Sequence, residues 1–320
     1  MRSVWVALLG IALSGCDTAV QTSQVPSRPP LARTATVGLF ADAQYCDCAP
    51  EADRHYRASL WKLGAAADAF DRERVDFSVH LGDLIERDAE SFAPALGALA
   101  GLDSALVHVL GNHDFDVAGD DRESVPERLG MEARYHERSK GLWRFVFMDG
   151  TDLSTFATAP GSTRRAETDV MRDSISASGG EVHLWNGGVG REQLAWLRAT
   201  LDDALARGQR VVILSHFPLY PFTTHNLWNA DAVLAVLDDY SNIVAHVSGH
   251  DHGGRATTRG GVYHIGIEGV VETRGQNAYA VAYFGVHALE LRGVGRAASV
   301  VLPYRNGETS ARRRRPGTAR

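Results

Sequence analysis

Carboxylate, amide and imidazole side chains recur in this 320-residue sequence immediately after short apolar runs. Asp42 and Gln44 stand in Ala41-Asp42-Ala43-Gln44, Asp83 in Leu81-Gly82-Asp83-Leu84, and Asn112 with His113 in Gly111-Asn112-His113-Asp114. His216 follows Val211 to Ser215, and His250 and His252 lie in Gly249-His250-Asp251-His252-Gly253. Such oxygen and imidazole donors suit manganese, iron or zinc better than a soft ion such as copper(I). The seven side chains Asp42, Gln44, Asp83, Asn112, His216, His250 and His252 are too many for one tetrahedral ion. They fit two ions that share a bridging carboxylate. Each motif alone has an ordinary structural explanation. Gly-Asn-His-Asp can be a turn, Asp83 a helix cap, and His216 a hydrogen-bonded rim residue. Five such motifs in series make coincidence a poor explanation.

The elements that must position these residues follow from apolar spacing. Thr36 to Ala41, Asp76 to Leu81 and Ala105 to Leu110 are predicted strands. Between them, Glu51 to Phe70 carries Tyr56, Leu60, Leu63, Ala67 and Phe70 at helical spacing, and Phe92 to Ala100 is a second predicted helix. Leu142 to Met148, Arg210 to Ser215 and Asn242 to Ser248 are further strands, with helices over Arg191 to Ala206 and Ala230 to Leu237. Residues 151 to 190 lose periodicity and collect Ser, Thr and Gly, the mark of a long functional or mobile loop. Gly261 to Leu302 is rich in Val, Ile, Tyr and Phe and reads as several strands. The β-α-β-α-β order gives an α/β fold with a parallel sheet, whose strand ends face one crevice.

Composition is that of a globular domain, 44% apolar and 22% charged. A net charge of -6 offers no global basic field, so no nucleic-acid partner is expected. At the amino end, Arg2 precedes the apolar stretch Val4 to Leu13 and then Leu13-Ser14-Gly15-Cys16. That arrangement resembles a bacterial lipobox. It implies a cleaved signal over 1–15, lipid on Cys16, a flexible linker over 16–35 and a folded domain over 36–302. The expectation is an exported, membrane-anchored lipoprotein, periplasmic or at the cell surface. Residues 303–320, with Arg312 to Arg315, are expected to form a disordered basic tail. Cys46 and Cys48 flank a single residue, a spacing that disfavours a disulfide.

The motif series resembles the calcineurin-like metallophosphoesterase superfamily, whose pattern is Asp-x-His, Gly-Asp, Gly-Asn-His-Asp/Glu, a later His, then Gly-His-x-His. Gln44 stands where His is usual, and this points toward the manganese-dependent ADP-ribose/CDP-alcohol diphosphatase family. Asn186-Gly187-Gly188-Val189-Gly190, Ser215 to Pro221 and Glu268 to Thr273 extend the likeness. The resemblance implies a β-sandwich flanked by helices, an αββα arrangement with a dinuclear site at strand carboxyl ends. One ion is expected on Asp42, Gln44, Asp83 and His252, the other on Asp83, Asn112, His216 and His250. Both ions are divalent, manganese first, with iron or zinc as alternatives. The implied reaction is attack of a metal-bridged hydroxide on a pyrophosphate of ADP-ribose, a CDP-alcohol or a related nucleotide derivative. His113 is the expected general acid, with Glu86 orienting it. Tyr45, Phe115, Tyr220 and Trp228 lie near the motifs and are candidates for stacking on the substrate. A phosphomonoesterase or a cyclic-nucleotide phosphodiesterase on the same scaffold is the alternative, followed by a lipid-anchored nucleotide-binding protein without catalysis.

Overall fold

Through much of the chain strands alternate with helices that return the backbone to a parallel neighbour. The computed structural model describes residues 33–304. β1 (Arg33–Phe40), α1 (Ser59–Glu73), β2 (Phe77–His80), α2 (Phe92–Leu99) and β3 (Ala105–His108) come first. β1, β2 and β3 pair in parallel, with Val37 opposite Phe77 and Phe77 opposite Ala105. α3 (Val125–Arg128) and β4 (His136–Lys140) lead into β5 (Trp143–Phe147), α4 (Thr163–Ala177), α5 (Arg191–Ala206) and β6 (Arg210–Leu214). α6 (Ala230–Leu237), β7 (Ile243–Ser248), β8 (Arg255–Arg259) and β9 (Val262–Gly266) complete that half. β10 (Ala278–Gly285), β11 (Ala288–Gly295) and β12 (Val300–Pro303) return to the first sheet.

Two six-stranded sheets result, ordered β12-β11-β10-β1-β2-β3 and β4-β5-β6-β7-β9-β8. Strand alternation explains why they stack. In β6, Val212 and Leu214 face the core between the sheets, with Leu39, Val79, Phe145 and Phe147. Val211 and Ile213 of the same strand face outward under Leu197, Leu201, Val233 and Leu237 of α5 and α6. On the opposite side, Leu63 and Phe70 of α1 and Phe92 and Leu99 of α2 cover Phe40 and Val281. The layers are helix, sheet, sheet, helix, as the αββα expectation has it.

Several expectations need correction. β1 begins at Arg33, so the last residues of the expected linker are strand; Thr34 Oγ1 donates to the Phe284 carbonyl and accepts from Trp143 Nε1. Residues 51–55 are not helical, and α1 starts only at Ser59. The stretch 151–190 contains α4, whose single buried residue is Thr168; a mostly polar helix with little buried is easily read as loop. β4 reads His-Glu-Arg-Ser-Lys and is exposed along most of its length, an edge strand that burial cannot mark. Cys46 and Cys48 form a disulfide, contrary to the sequence expectation; their Cα atoms are 5.2 Å apart, an ordinary span for such a bond. The expected signal, Cys16 and the Arg312 to Arg315 tail lie outside the described residues. No helix among the described residues is long and apolar enough to cross a membrane.

Candidate metal centre

The seven side chains singled out by motif all follow the carboxyl ends of parallel strands. Asp42 and Gln44 follow β1, Asp83 follows β2, and Asn112 follows β3 in the first sheet; His216 follows β6, and His250 and His252 follow β7 in the second. Their backbone is bent sharply where the strands end. Asp42, Gln44, Asp83 and His250 all have φ between 43° and 66°, the left-handed region that side chains other than glycine enter at a cost. Asp114 holds two of these turns together. Its carboxylate accepts from the backbone N–H groups of Asp83, Leu84 and Gly111 at 2.8–3.1 Å. The turns are so close that a Cβ on Gly111 would sit 2.2 Å from Asp83 Oδ1.

Most of these side chains meet across the gap between the sheets. His216 Nε2 lies 3.3 Å from Asp83 Oδ2, 3.3 Å from Asn112 Oδ1 and 3.1 Å from His250 Nδ1. The His250 N–H donates to the Asp42 carboxylate at 3.0 Å, and His252 Nε2 is 3.6 Å from Asp42 Oδ1. Gln44 joins through its backbone, donating to the Asp83 carbonyl at 2.9 Å. Ligand atoms of Asp83, His216 and His250 fall within 4.8 Å of one another.

Each histidine is turned by an acceptor on its outer side. The His216 Nδ1–H donates to the Leu81 carbonyl at 2.8 Å, and the His250 Nε2–H to Asn186 Oδ1 at 2.9 Å. The His252 Nδ1–H donates to Glu272 Oε1 at 2.8 Å. These bonds set the tautomers and leave His216 Nε2, His250 Nδ1 and His252 Nε2 as lone-pair atoms facing inward. Two nitrogen lone pairs 3.1 Å apart repel unless a cation or a proton lies between them. The buried atoms Asp83 Oδ2 and Gln44 Oε1 also lack hydrogen-bond partners among the described residues. Inward lone pairs beside the oxygens of Asp83, Asn112 and Asp42 form a donor set that fits divalent cations.

Electrostatics agree. Burial opposes charge on both Asp83 and His216. Yet His216, His113 and His250 hold Asp83 far below the usual carboxylate range, and Asp83 with Asp42 raises His216 to about 9. Burial, and then the neighbouring His216, drives His250 well below the imidazole range. Burial raises Asp42, and it pushes Asp114 up to about 7, with the Asp83 charge adding to it. Without metal, therefore, one proton stays on His216 against Asp83, where a cation would otherwise sit.

His113 borders this cluster. Its backbone N–H donates to Asp83 Oδ1 at 2.8 Å, and its Nδ1–H donates to the Glu86 carbonyl at 3.1 Å. The Glu86 carboxylate is 3.4 Å from the same nitrogen and within 4 Å of both Arg54 and Arg87. The four aromatic candidates fare differently. Tyr45 is buried in the core around α1 and α2, which removes it as an open stacking surface. Phe115 is buried against Phe156, and with it lines a small recess beside Asn112 and His113. Tyr220 is half-buried, packed on Phe222 and His264. Trp228 lines a recess of about 440 Å³ with Asn186, but its indole N–H is already used by the His183 carbonyl at 2.9 Å. The orienting residues Asn186, Glu272 and Asp114 and the half-exposed Trp185 were not identified from the sequence. Asn186 and Glu272 sit in segments that carried the family likeness, but nothing local gives them a role.

A family model described as calcineurin-like phosphoesterase matches residues 36–254. A manganese-dependent ADP-ribose/CDP-alcohol diphosphatase of Danio rerio is 31% identical over 316 residues, covering 84% of this chain and 98% of that protein. One of the same name from Oryza sativa subsp. japonica is also 31% identical, over 77% of this chain and 85% of its own length. The crystal structure of a dimetal phosphatase from Danio rerio superposes with a TM-score of 0.77 at 29% identity, over 85% of this chain and all of that one.

Proposed function

The chain belongs to the calcineurin-like phosphoesterase family, and from that premise we propose that it is a manganese-dependent diphosphatase acting on ADP-ribose, CDP-alcohols or related nucleoside diphosphate derivatives. The observation that carries this reading is the set of three imidazoles turned so that their inner nitrogens face one another and the oxygens of Asp83, Asn112 and Asp42. We assign Asp42, Gln44, Asp83 and His252 to one ion and Asp83, Asn112, His216 and His250 to the other. Such ions supply positive charge to phosphoryl oxygens and make water nucleophilic near neutral pH. Asp83, with both oxygens inside the cluster, spans the two positions. Gln44 is neutral and a poorer donor than imidazole, so its ion is held more weakly. His113, fixed by Asp83 and Glu86, donates to the oxygen that departs from phosphorus. Water adds across one P–O bond of the P–O–P bridge, and two phosphate monoesters leave.

The test is product analysis with added manganese, iron or zinc. ADP-ribose is expected to give AMP and ribose 5-phosphate, and CDP-choline to give CMP and phosphocholine. Release of free phosphate from simple esters, with both diphosphates intact, would assign the monoesterase alternative.

For location, the reading is an exported lipoprotein anchored through Cys16. Arg2 and the apolar run before Leu13-Ser14-Gly15-Cys16 support it, as does the Cys46–Cys48 disulfide, since such bonds persist outside the reducing cytoplasm. Labelling with a fatty-acid analogue tests it: wild type is expected to take up label in the membrane fraction and Cys16→Ala to take up none.

A further inference from the structure

Ligand pockets are walled by apolar and aromatic side chains beside a few placed polar groups. Trp185 is 48% exposed, one residue before the Asn186 that orients His250. Its position is fixed. The Asn186 N–H donates to the His183 carbonyl, Asn186 Nδ2 donates to the Thr224 carbonyl, and Trp228 Nε1 donates to the same His183 carbonyl. The Trp185 indole lies nearly parallel to the His183 ring, with centroids 4.7 Å apart and planes 25° apart. The backbone on both sides of Trp185 is thus held by the same turn that sets His250.

Trp185 also forms one wall of a recess of about 170 Å³, whose other walls are Asn112, His113, Phe115, Asp116, Arg122 and Phe156. The recess therefore opens directly on the metal centre. It is smaller than a pocket for a whole ligand of roughly 300 Å³ or more, and so suits one flat ring system. Two of its polar side chains lie outside the metal-centre motif. Arg122 Nε is buried with no hydrogen-bond partner among the described residues, and the exposed Asp116 stands on the same rim. An indole wall, a donor and an acceptor together match a nucleobase, which offers a π-face and a polar edge.

We propose that this recess is the nucleobase subsite, with the base stacked on Trp185 and its edge against Arg122 and Asp116. The proposal rests on the diphosphatase reading, since it names which half of the substrate lies on the His113 side. The replacement Trp185→Ala falls at a half-exposed turn, and Trp185→Phe keeps a stacking surface should the smaller residue disturb the loop. The experiment compares kcat/KM for ADP-ribose with that for a pyrophosphate diester carrying simple alkyl groups, in the manganese-loaded full chain. In Trp185→Ala the preference for ADP-ribose is expected to fall about 5- to 150-fold, the range for losing one base stack. Trp185→Phe should restore most of it. An unchanged preference in Trp185→Ala overturns the proposal. A second readout needs no turnover: adenosine, which has no phosphate, should quench tryptophan fluorescence in the wild type and not in Trp185→Phe. If the wild type hydrolyses neither diphosphate, the diphosphatase reading fails while quenching still decides the subsite. Equal quenching in both proteins overturns it.

Discussion

Glu272 is twenty residues from His252 in sequence, yet its carboxylate accepts the His252 Nδ1–H at 2.8 Å. That bond draws the Glu272 pKa below its ordinary value and turns His252 Nε2 toward Asp42, 3.6 Å away. Partners of this kind typically contribute 10- to 100-fold in metal affinity. Glu272→Ala is therefore expected to weaken one of the two manganese sites by about that factor and to spare the other. Calorimetric titration of metal-free protein reads this directly, and two unaltered affinities would sink the assignment. His113→Ala should do the reverse. Both ions should bind as in wild type while turnover falls about 10²- to 10⁴-fold, the range for losing a positioned acid; loss of an ion would make His113 a ligand. The candidate ligands were legible in the sequence because strand-end motifs are local. Their orienting partners were not, because Glu272 and Asn186 reach the centre only through tertiary contact.

At the scale of elements, α1 does more than cover a sheet. Lys62 of α1 is fully buried, and its ammonium donates to the carbonyls of Val270, Glu272 and Thr273 at 2.5–2.8 Å. Burial lowers its pKa to about 8. The segment it grips is also tied to the β1 end, where the Val270 and Val271 N–H groups donate to the Ala41 and Asp42 carbonyls. The same helix thus sets the backbone of Glu272 and of Asp42 in one frame. Lys62→Met keeps the volume but orphans three carbonyls, at about 1–3 kcal/mol for each one that stays dry. A loss of about 2–5 kcal/mol in urea unfolding is expected, with weaker binding at the ion that uses His252. A stability within about 0.5 kcal/mol of wild type would show that water replaces the amine. The sequence contained α1 as an amphipathic stretch, but a lysine on a buried face departs from helical patterning and carries no local sign of its partners. α4 and β4 were missed for the opposite reason. They are real elements with almost nothing buried: β4 has no apolar residue, and the few in α4, such as the exposed Val170, are outnumbered by polar ones.

At the scale of the whole molecule, the centre joins the two sheets, since Asp42, Asp83 and Asn112 come from one and His216, His250 and His252 from the other. Metal removal therefore acts on the sandwich as a unit, and its effect depends on pH. In the metal-free protein Asp83 raises His216 from 6.5 to about 9, so the folded state holds a proton that the unfolded chain releases near 6.5. The contribution of that pair is fully present below pH 6.5 and is lost as pH rises through 9. Asp114, raised from 3.8 to about 7, has the same sign at lower pH. Metal binding runs the other way. A ligating imidazole must be neutral, so the ion that takes His216 below pH 9 displaces its proton, and the apparent affinity of that ion climbs with pH until the proton is gone. The gap in melting temperature between manganese-loaded and chelator-treated protein should consequently widen from pH 6.5 to 9. Titrations at pH 7.5 in buffers of different ionisation enthalpy should show about one proton released as the ion reaches His216. A gap that stays constant or narrows over this range, with no proton release, would remove His216 from the set of ligands.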